Sequence, residues 1–294
     1  MQSFPFVLAN VFAETHFGGN QLAVFTDARG LSDREMQSIA KQMNLSETTF
    51  VLPPRDPAKA AKVRIFTPEA ELPFAGHPTV GTAAVLGQRG LGAGRFVLEE
   101  GIGDVEVNVE LRGDRIAARF RIDRPIDSPE VMPANALVAE LLGLDEADVA
   151  AAWFASAGIP FCIVHLAGRE AVDRAVLDRS AWNARRKDMW SPNFLIFSGN
   201  PASERLYARM FAPALGVDED PATGAAAAAL VGSLAERAVG ADGRLAITID
   251  QGVKMGRPSV IEASADVRAG SASSMEVGGL TVILGEGSLT MPSN

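Results

Sequence analysis

Apolar and polar positions along the chain recur with two periods, one of two residues and one of three to four, separated by short turn-forming clusters. Residues 4–12 and 22–26 are apolar, partly β-branched runs. Between them, ETHFGGNQ holds two glycines and Asn20, so the pattern predicts two strands joined by a structured loop. Ser32 is followed three positions later by Glu35, the spacing of a capping box, and Met36, Ile39, Ala40 and Met43 then fall on one helical face that ends near Asn44. LSETTFVLPP passes into a strand stopped by Pro53 and Pro54, which places Glu47 where a helix hands over to a strand. Residues 62–67 alternate as a further strand. A helix follows from Pro78, whose missing N–H is not needed in a first turn, to Gly90 as the C′ residue. Gly81, Ala83 and Ala84 leave it thin on one side, where strands can approach closely. Residues 95–122 read as a hairpin series.

PIDSPEVMPAN, with three prolines, is the expected linker to a second half. There the pattern predicts a helix over 133–142, strands at 161–166 and 194–197, a second small-residue helix in PATGAAAAALVGSLAE after Asp220, and alternating runs at 245–249, 259–263 and 280–284. PTVGTAA at 78–84 and PATGAAA at 221–227 share a proline, a glycine three positions on and a run of small residues. That suggests an internal duplication into two similar α+β halves. Two helix N-termini, with unpaired N–H groups and partial positive charge, would then meet a cleft between the halves and suit a small-molecule carboxylate.

Composition narrows the function classes. A chain of 294 residues, 47% apolar and 21% charged, has material for one or two folded domains and is not disordered. A net charge of -9 without a basic block argues against a nucleic-acid partner. The single Cys162, in an apolar strand-like run where a buried inert thiol is expected, excludes an internal disulfide and fits a reducing, cytoplasmic setting. No signal-like start and no apolar run of 18 residues is present, so no membrane segment is expected. His16, His77 and His165 lack metal-ligand spacing, and GLGAGRF and GIGD lack the setting of a dinucleotide loop, so neither a metal nor a cofactor is expected.

Four places carry candidate chemistry. Asp220 precedes Pro221 and reads either as a simple N-cap or as a functional carboxylate. His77, inside AGHP, reads as an acid–base or hydrogen-bonding group or as a satisfied structural imidazole. Glu47, between Ser46 and Thr48, reads as a partly desolvated carboxylate tuned toward neutral pH or as a solvated turn residue. Gly18, Gly19 and Asn20 form a backbone nest for an anion or only a turn.

NLSETTF at 44–50, ELPFAGHPTVGTA at 71–83, DEDPATGAA at 218–226, QGVKMGRPS at 251–259 and FGGNQLAV at 17–24 together resemble the signature blocks of the phenazine-biosynthesis PhzF-like family, in order and across nearly the whole chain. The resemblance implies a fold like that of diaminopimelate epimerase, α+β, with two similar domains, each an antiparallel barrel-like sheet around a central helix, and the site between them. The domains would be 1–124, completed by a C-terminal strand at 280–294, and 125–279. It also implies a homodimer without cofactor or metal. In the family's isomerase the LSET glutamate moves a proton between carbons of trans-2,3-dihydro-3-hydroxyanthranilate, a role that falls on Glu47. His77 and Asp220 would hold or polarise the substrate, and Gly19, Asn20, Ser46, Gly76, Gly224 and Ala225 would line its site. Ala225 stands where the isomerase pattern has a serine, so the natural substrate is expected to differ. Ala75 and Pro221 stand where related epimerases carry thiols, which excludes a two-thiol mechanism. The expected function is a cofactor-independent proton-shifting isomerase of a small amino or hydroxy carboxylic acid. The alternatives are an inactive small-carboxylate binder, or an isomerase or racemase of a different amino acid.

Overall fold

The computed structural model describes residues 1–113, 115–200 and 205–292, with Arg112 described by its backbone alone; the last two residues of the expected C-terminal strand, 293–294, lie outside that range. The chain divides into two compact units, one formed by residues 1–121 and 278–294 and the other by 122–277.

In the first unit the elements run β1 (Gln2–Val11), β2 (Asn20–Phe25), α1 (Asp33–Met43), β3 (Glu47–Leu52), β4 (Ala61–Phe66), β5 (Glu71–Leu72), α2 (Gly76–Leu86), β6 (Gly94–Glu100), β7 (Gly103–Arg112) and β8 (Arg115–Ile122). The capping box forms as its spacing predicts: the Glu35 N–H donates to Ser32 Oγ, while the Ser32 N–H donates to Glu35 Oε2. Asn44, at φ 51°, ends α1 in the left-handed conformation that asparagine tolerates. Met36, Ile39 and Ala40 pack with Phe25, Phe50 and Phe66 on one side of the sheet. On the other side α2 touches β1, β2, β3 and β7 and is buried from Gly76 to Val85. Gly81 makes that approach possible, because a Cβ there would lie 2.5 Å from Leu22 Cδ2 and from Val11 Cγ2. Gly90 does not close this helix: α2 stops at Leu86, and the chain leaves through a wider turn in which Gly90 has φ 138°.

In the second unit the elements are α3 (Asn135–Leu142), β9 (Val149–Ser156), β10 (Pro160–Leu166), α4 (Arg169–Arg174), α5 (Arg179–Arg185), β11 (Phe194–Ser198), β12 (Arg205–Ala212), β13 (Val217–Asp220), α6 (Gly224–Ala238), β14 (Gly243–Gln251) and β15 (Ser259–Arg268); β16 (Ser271–Met291) begins in this unit and from Gly278 onward belongs to the first. The run after Asp220 is a core helix, buried from Ala226 to Ala235 against β9, β10, β14 and β15. Helices α3, α4 and α5 cover the opposite side through Leu141, Leu142, Val172 and Trp182. Cys162 is fully buried, and burial pushes its thiol up, as expected of an inert core residue.

The pairing pattern repeats between the units. In the first, β1–β2 is antiparallel, β2–β3 parallel, β3–β4 and β4–β5 antiparallel, β4–β6 parallel and β6–β7 antiparallel. In the second, β9–β10, β10–β11, β11–β12, β12–β13, β12–β14 and β14–β15 follow the same order of senses. The strand set of each unit is therefore mixed, with two parallel pairings in a mostly antiparallel set. In the first unit β16 lies between β8 and β1 and closes the sheet into a barrel. Among the described residues no helix is long and apolar enough to cross a membrane.

Candidate active site

In the first unit the chain leaves α1 at Asn44, bends through Leu45 and the half-buried Ser46, and enters β3 at Glu47. Parallel pairing sets Glu47 beside Leu22 of β2, two residues beyond Asn20. Gly19, buried at φ 72°, turns the chain into β2 where a Cβ would lie 2.5 Å from the Val11 carbonyl oxygen. Helix α2 begins with Ala75 as N-cap, Gly76 first and His77 second, so Pro78 is its third residue, still within the turn that needs no N–H donor.

These elements bring His77 between two partners. Its Nε2 is 3.3 Å from Glu47 Oε2, close but outside good hydrogen-bond geometry, and its Nδ1 is 3.2 Å from Asn20 Nδ2. A carboxylate facing Nε2 favours the proton on that nitrogen, which leaves Nδ1 to accept from the Asn20 amide. Burial drives the His77 pKa down to about 3, only partly opposed by a hydrogen bond at the Gln21 backbone, so the ring is neutral. The Glu47–His77 contact is thus a carboxylate against a neutral imidazole and not an ion pair. Side-chain exposure is 5% for His77 and 13% for Glu47, which keeps the pair nearly dry while the carboxylate retains an opening.

Two threonines one turn apart hold the first part of α2 in place, and the sequence pattern passed over both. Thr82 Oγ1 is 2.9 Å from Thr49 Oγ1 on the Glu47 strand. Thr79 Oγ1 lies 2.8 Å from both the Ala75 carbonyl oxygen and Glu100 Oε1, and its single proton is shared between these two acceptors. Glu100 is buried and its pKa rises to about 8 by desolvation, with the Thr79 bond opposing. Its other oxygen has no hydrogen-bond partner among the described residues. The signal for all three was available as polar residues inside apolar runs, but their partners lie 21 and 33 positions away in the chain.

In the second unit the structure corrects two expectations. Asp220 is the last residue of β13, not the N-cap of α6; the helix starts at Gly224 with Thr223 as N-cap. Thr223 caps nothing with its side chain, because its hydroxyl donates to Asp220 Oδ2 instead. The match between PTVGTAA and PATGAAA is consequently not a structural equivalence, since Pro78 lies inside α2 and Pro221 precedes α6. By position the first residues of the two helices, Gly76 and Gly224, correspond. Ala225 is second in α6 and half-buried. Glu47, His77, Gly19, Asn20, Ser46 and Gly76 belong to the first unit; Asp220, Gly224 and Ala225 belong to the second. Among the described residues no three His, Cys, Asp or Glu side chains gather as metal ligands.

A family model described as phenazine biosynthesis-like protein matches residues 9–287. An uncharacterised isomerase of Mesorhizobium japonicum is 39% identical over 303 residues, which cover 98% of this chain and 99% of the relative. The trans-2,3-dihydro-3-hydroxyanthranilate isomerase of Pseudomonas fluorescens is 36% identical over 286 residues, covering 97% of this chain and 99% of the relative. The crystal structure of a phenazine biosynthesis protein of the PhzF family from Bacillus anthracis superposes with a TM-score of 0.84 at 21% identity, over 99% of this chain and all of that one, which is a likeness of fold.

Proposed function

The chain belongs to the phenazine biosynthesis-like protein family and is an isomerase-type enzyme, and from that premise we propose that it shifts a proton within a small cyclic or unsaturated amino or hydroxy carboxylic acid, with Glu47 as the acid–base group. The observation that carries this reading is the Glu47 carboxylate set against a buried, neutral His77. An imidazolium at that distance would hold the carboxylate as an ion pair and lower its basicity; a neutral ring orients it and leaves it able to take a proton.

Glu47 removes a proton from the carbon that the substrate's unsaturation activates, the C–H electron pair moves into the conjugated system, and the double bond shifts. Glu47 then returns the same proton to another carbon on the same face. The carboxylate is regenerated, no electron leaves the substrate, and the reaction as written asks for no cofactor. Asn20 keeps the His77 ring in one tautomer, His77 and Asp220 hold the substrate's polar groups, and N–H groups at Gly76 and Gly224 receive its carboxylate or developing negative charge.

The curated relative from Pseudomonas fluorescens supplies the first compound to try. Proton NMR of trans-2,3-dihydro-3-hydroxyanthranilate in deuterated buffer should show rearrangement with wild-type protein, and Glu47→Gln should lower the rate by about 100-fold or more. A folded Glu47→Gln variant that turns over at the wild-type rate would remove Glu47 from the chemistry.

A further inference from the structure

Gln251, the first residue of the QGVKMGRPS block, takes no part in the roles assigned above, yet it is 1% exposed and ends β14 directly against the Asp220 turn. Its Nε2 donates to the Asp220 carbonyl at 2.7 Å and to Thr223 Oγ1 at 3.1 Å, and its Oε1 accepts from the Thr223 N–H at 3.4 Å. The Asp220 carbonyl can only accept, so the orientation of the amide is determined by its partners. Thr223, receiving one hydrogen bond from Gln251, passes its own proton to Asp220 Oδ2. A directed chain therefore runs from the Gln251 amide through the Thr223 hydroxyl to the Asp220 carboxylate, each bond polarising the next.

The residue after Gln251 fits the same arrangement. Gly252 has φ 73°, and a Cβ on it would lie 2.4 Å from the Arg257 carbonyl oxygen and 2.6 Å from that of Pro221. Only glycine lets the β14 end press against Pro221 closely enough for the preceding amide to reach both ends of the turn. Pro221 offers no N–H, so the turn cannot be held by a backbone bond at that position, and the side chain of Gln251 does the work. The capping role that Thr223 could have filled for α6 is given up, which leaves its hydroxyl for Asp220.

We infer that Gln251 is a positioning residue that sets the direction of the Asp220 carboxylate through the Thr223 hydroxyl. The inference rests on the reading of Asp220 as a substrate-holding group, and its test separates the two. With trans-2,3-dihydro-3-hydroxyanthranilate as substrate, Gln251→Met and Thr223→Val should each lower kcat/KM tenfold or more, whereas Thr223→Ser, which keeps the hydroxyl, should stay within threefold of wild type. Adding Gln251→Met to Asp220→Asn should lower kcat/KM no further than Asp220→Asn alone, because both changes act through one carboxylate. Losses that multiply in the double variant would overturn the inference, since a general structural defect behaves that way. The carbon-13 resonance of the Asp220 carboxylate in the free protein gives a readout that needs no substrate. It should move in Gln251→Met and Thr223→Val and hold in Thr223→Ser; a resonance unmoved by Gln251→Met sinks the inference even if the wild type turns nothing over. A displaced resonance with a fully active Asp220→Asn variant strikes the role of Asp220 and leaves the positioning in place.

Discussion

Asn20, expected to line the substrate site, is 1% exposed with its amide 3.2 Å from His77 Nδ1. A residue type that suits a turn or an anion is here also within hydrogen-bond distance of a buried imidazole. Glu47 is the better-read position: the capping box, the helix end near Asn44 and the run stopped by Pro53 and Pro54 place it at an element start from sequence alone. Its contact with His77 was not legible, because it depends on the parallel pairing of β2 with β3 across an intervening helix. At Ala225 the residue itself carries a prediction. A methyl group there offers no hydrogen bond to a substrate, so Ala225→Ser should raise kcat/KM for trans-2,3-dihydro-3-hydroxyanthranilate about three- to tenfold, the worth of one added hydrogen bond. An unchanged value in the kinetic assay would dissociate this position from substrate choice.

Among the elements, the helices begin in different ways. Helix α1, on the outside of its sheet, follows the capping rule completely, whereas α2 and α6, the buried central helices, start without a side-chain cap. The outer helices α3 and α4 also start without a side-chain cap, at Ala134 and Gly168, which carry no side-chain acceptor, whereas Asp178 caps α5. Two strands show what pattern reading passed over. Strand β12 carries Arg209 at a buried position, which breaks the apolar run; tertiary structure satisfies it with Glu219 and with the carbonyls of Val172 and Ala175. Strand β9 is rich in alanine, which marks no period. A prediction at this scale concerns the α2 packing. Gly81→Ala gains helix propensity but drives a Cβ into Leu22 and Val11, so it should destabilise the protein by about 1–3 kcal/mol in urea unfolding. A stabilised variant would mean that α2 does not press on β1 and β2 as described.

For the whole molecule, two buried titratable groups shape stability against pH in opposite senses. Glu100 loses its proton at about 8 in the folded protein against 4.5 ordinarily, so the folded state holds an extra proton between those values and stability falls as pH rises through the window. His77 takes its proton at about 3 against 6.5, so the unfolded state holds the extra proton and stability falls as pH drops below 6.5. From these two groups the expected profile is level between about 4.5 and 6.5, where the slopes cancel, and declines on both sides. Glu100→Gln should remove the decline between 6.5 and 8, visible as a flatter Tm against pH in calorimetry. A wild-type Tm already flat from 6.5 to 8 would contradict the buried, protonated state of Glu100.

The outer helix with its cap, the two small-residue helices and the position of Glu47 were determined by the sequence itself, because each follows from local periodicity, turn chemistry and capping within about a dozen residues. The repeat of pairing senses, the true starts of α2 and α6, the neutral state of His77 and the hold of Gln251 on Asp220 were decided only in the tertiary structure. They depend on strand registers, on desolvation by distant neighbours and on hydrogen bonds across 28 and 31 residues of chain. Those quantities are set when the sheets close around their helices and have no local signature in the order of the residues.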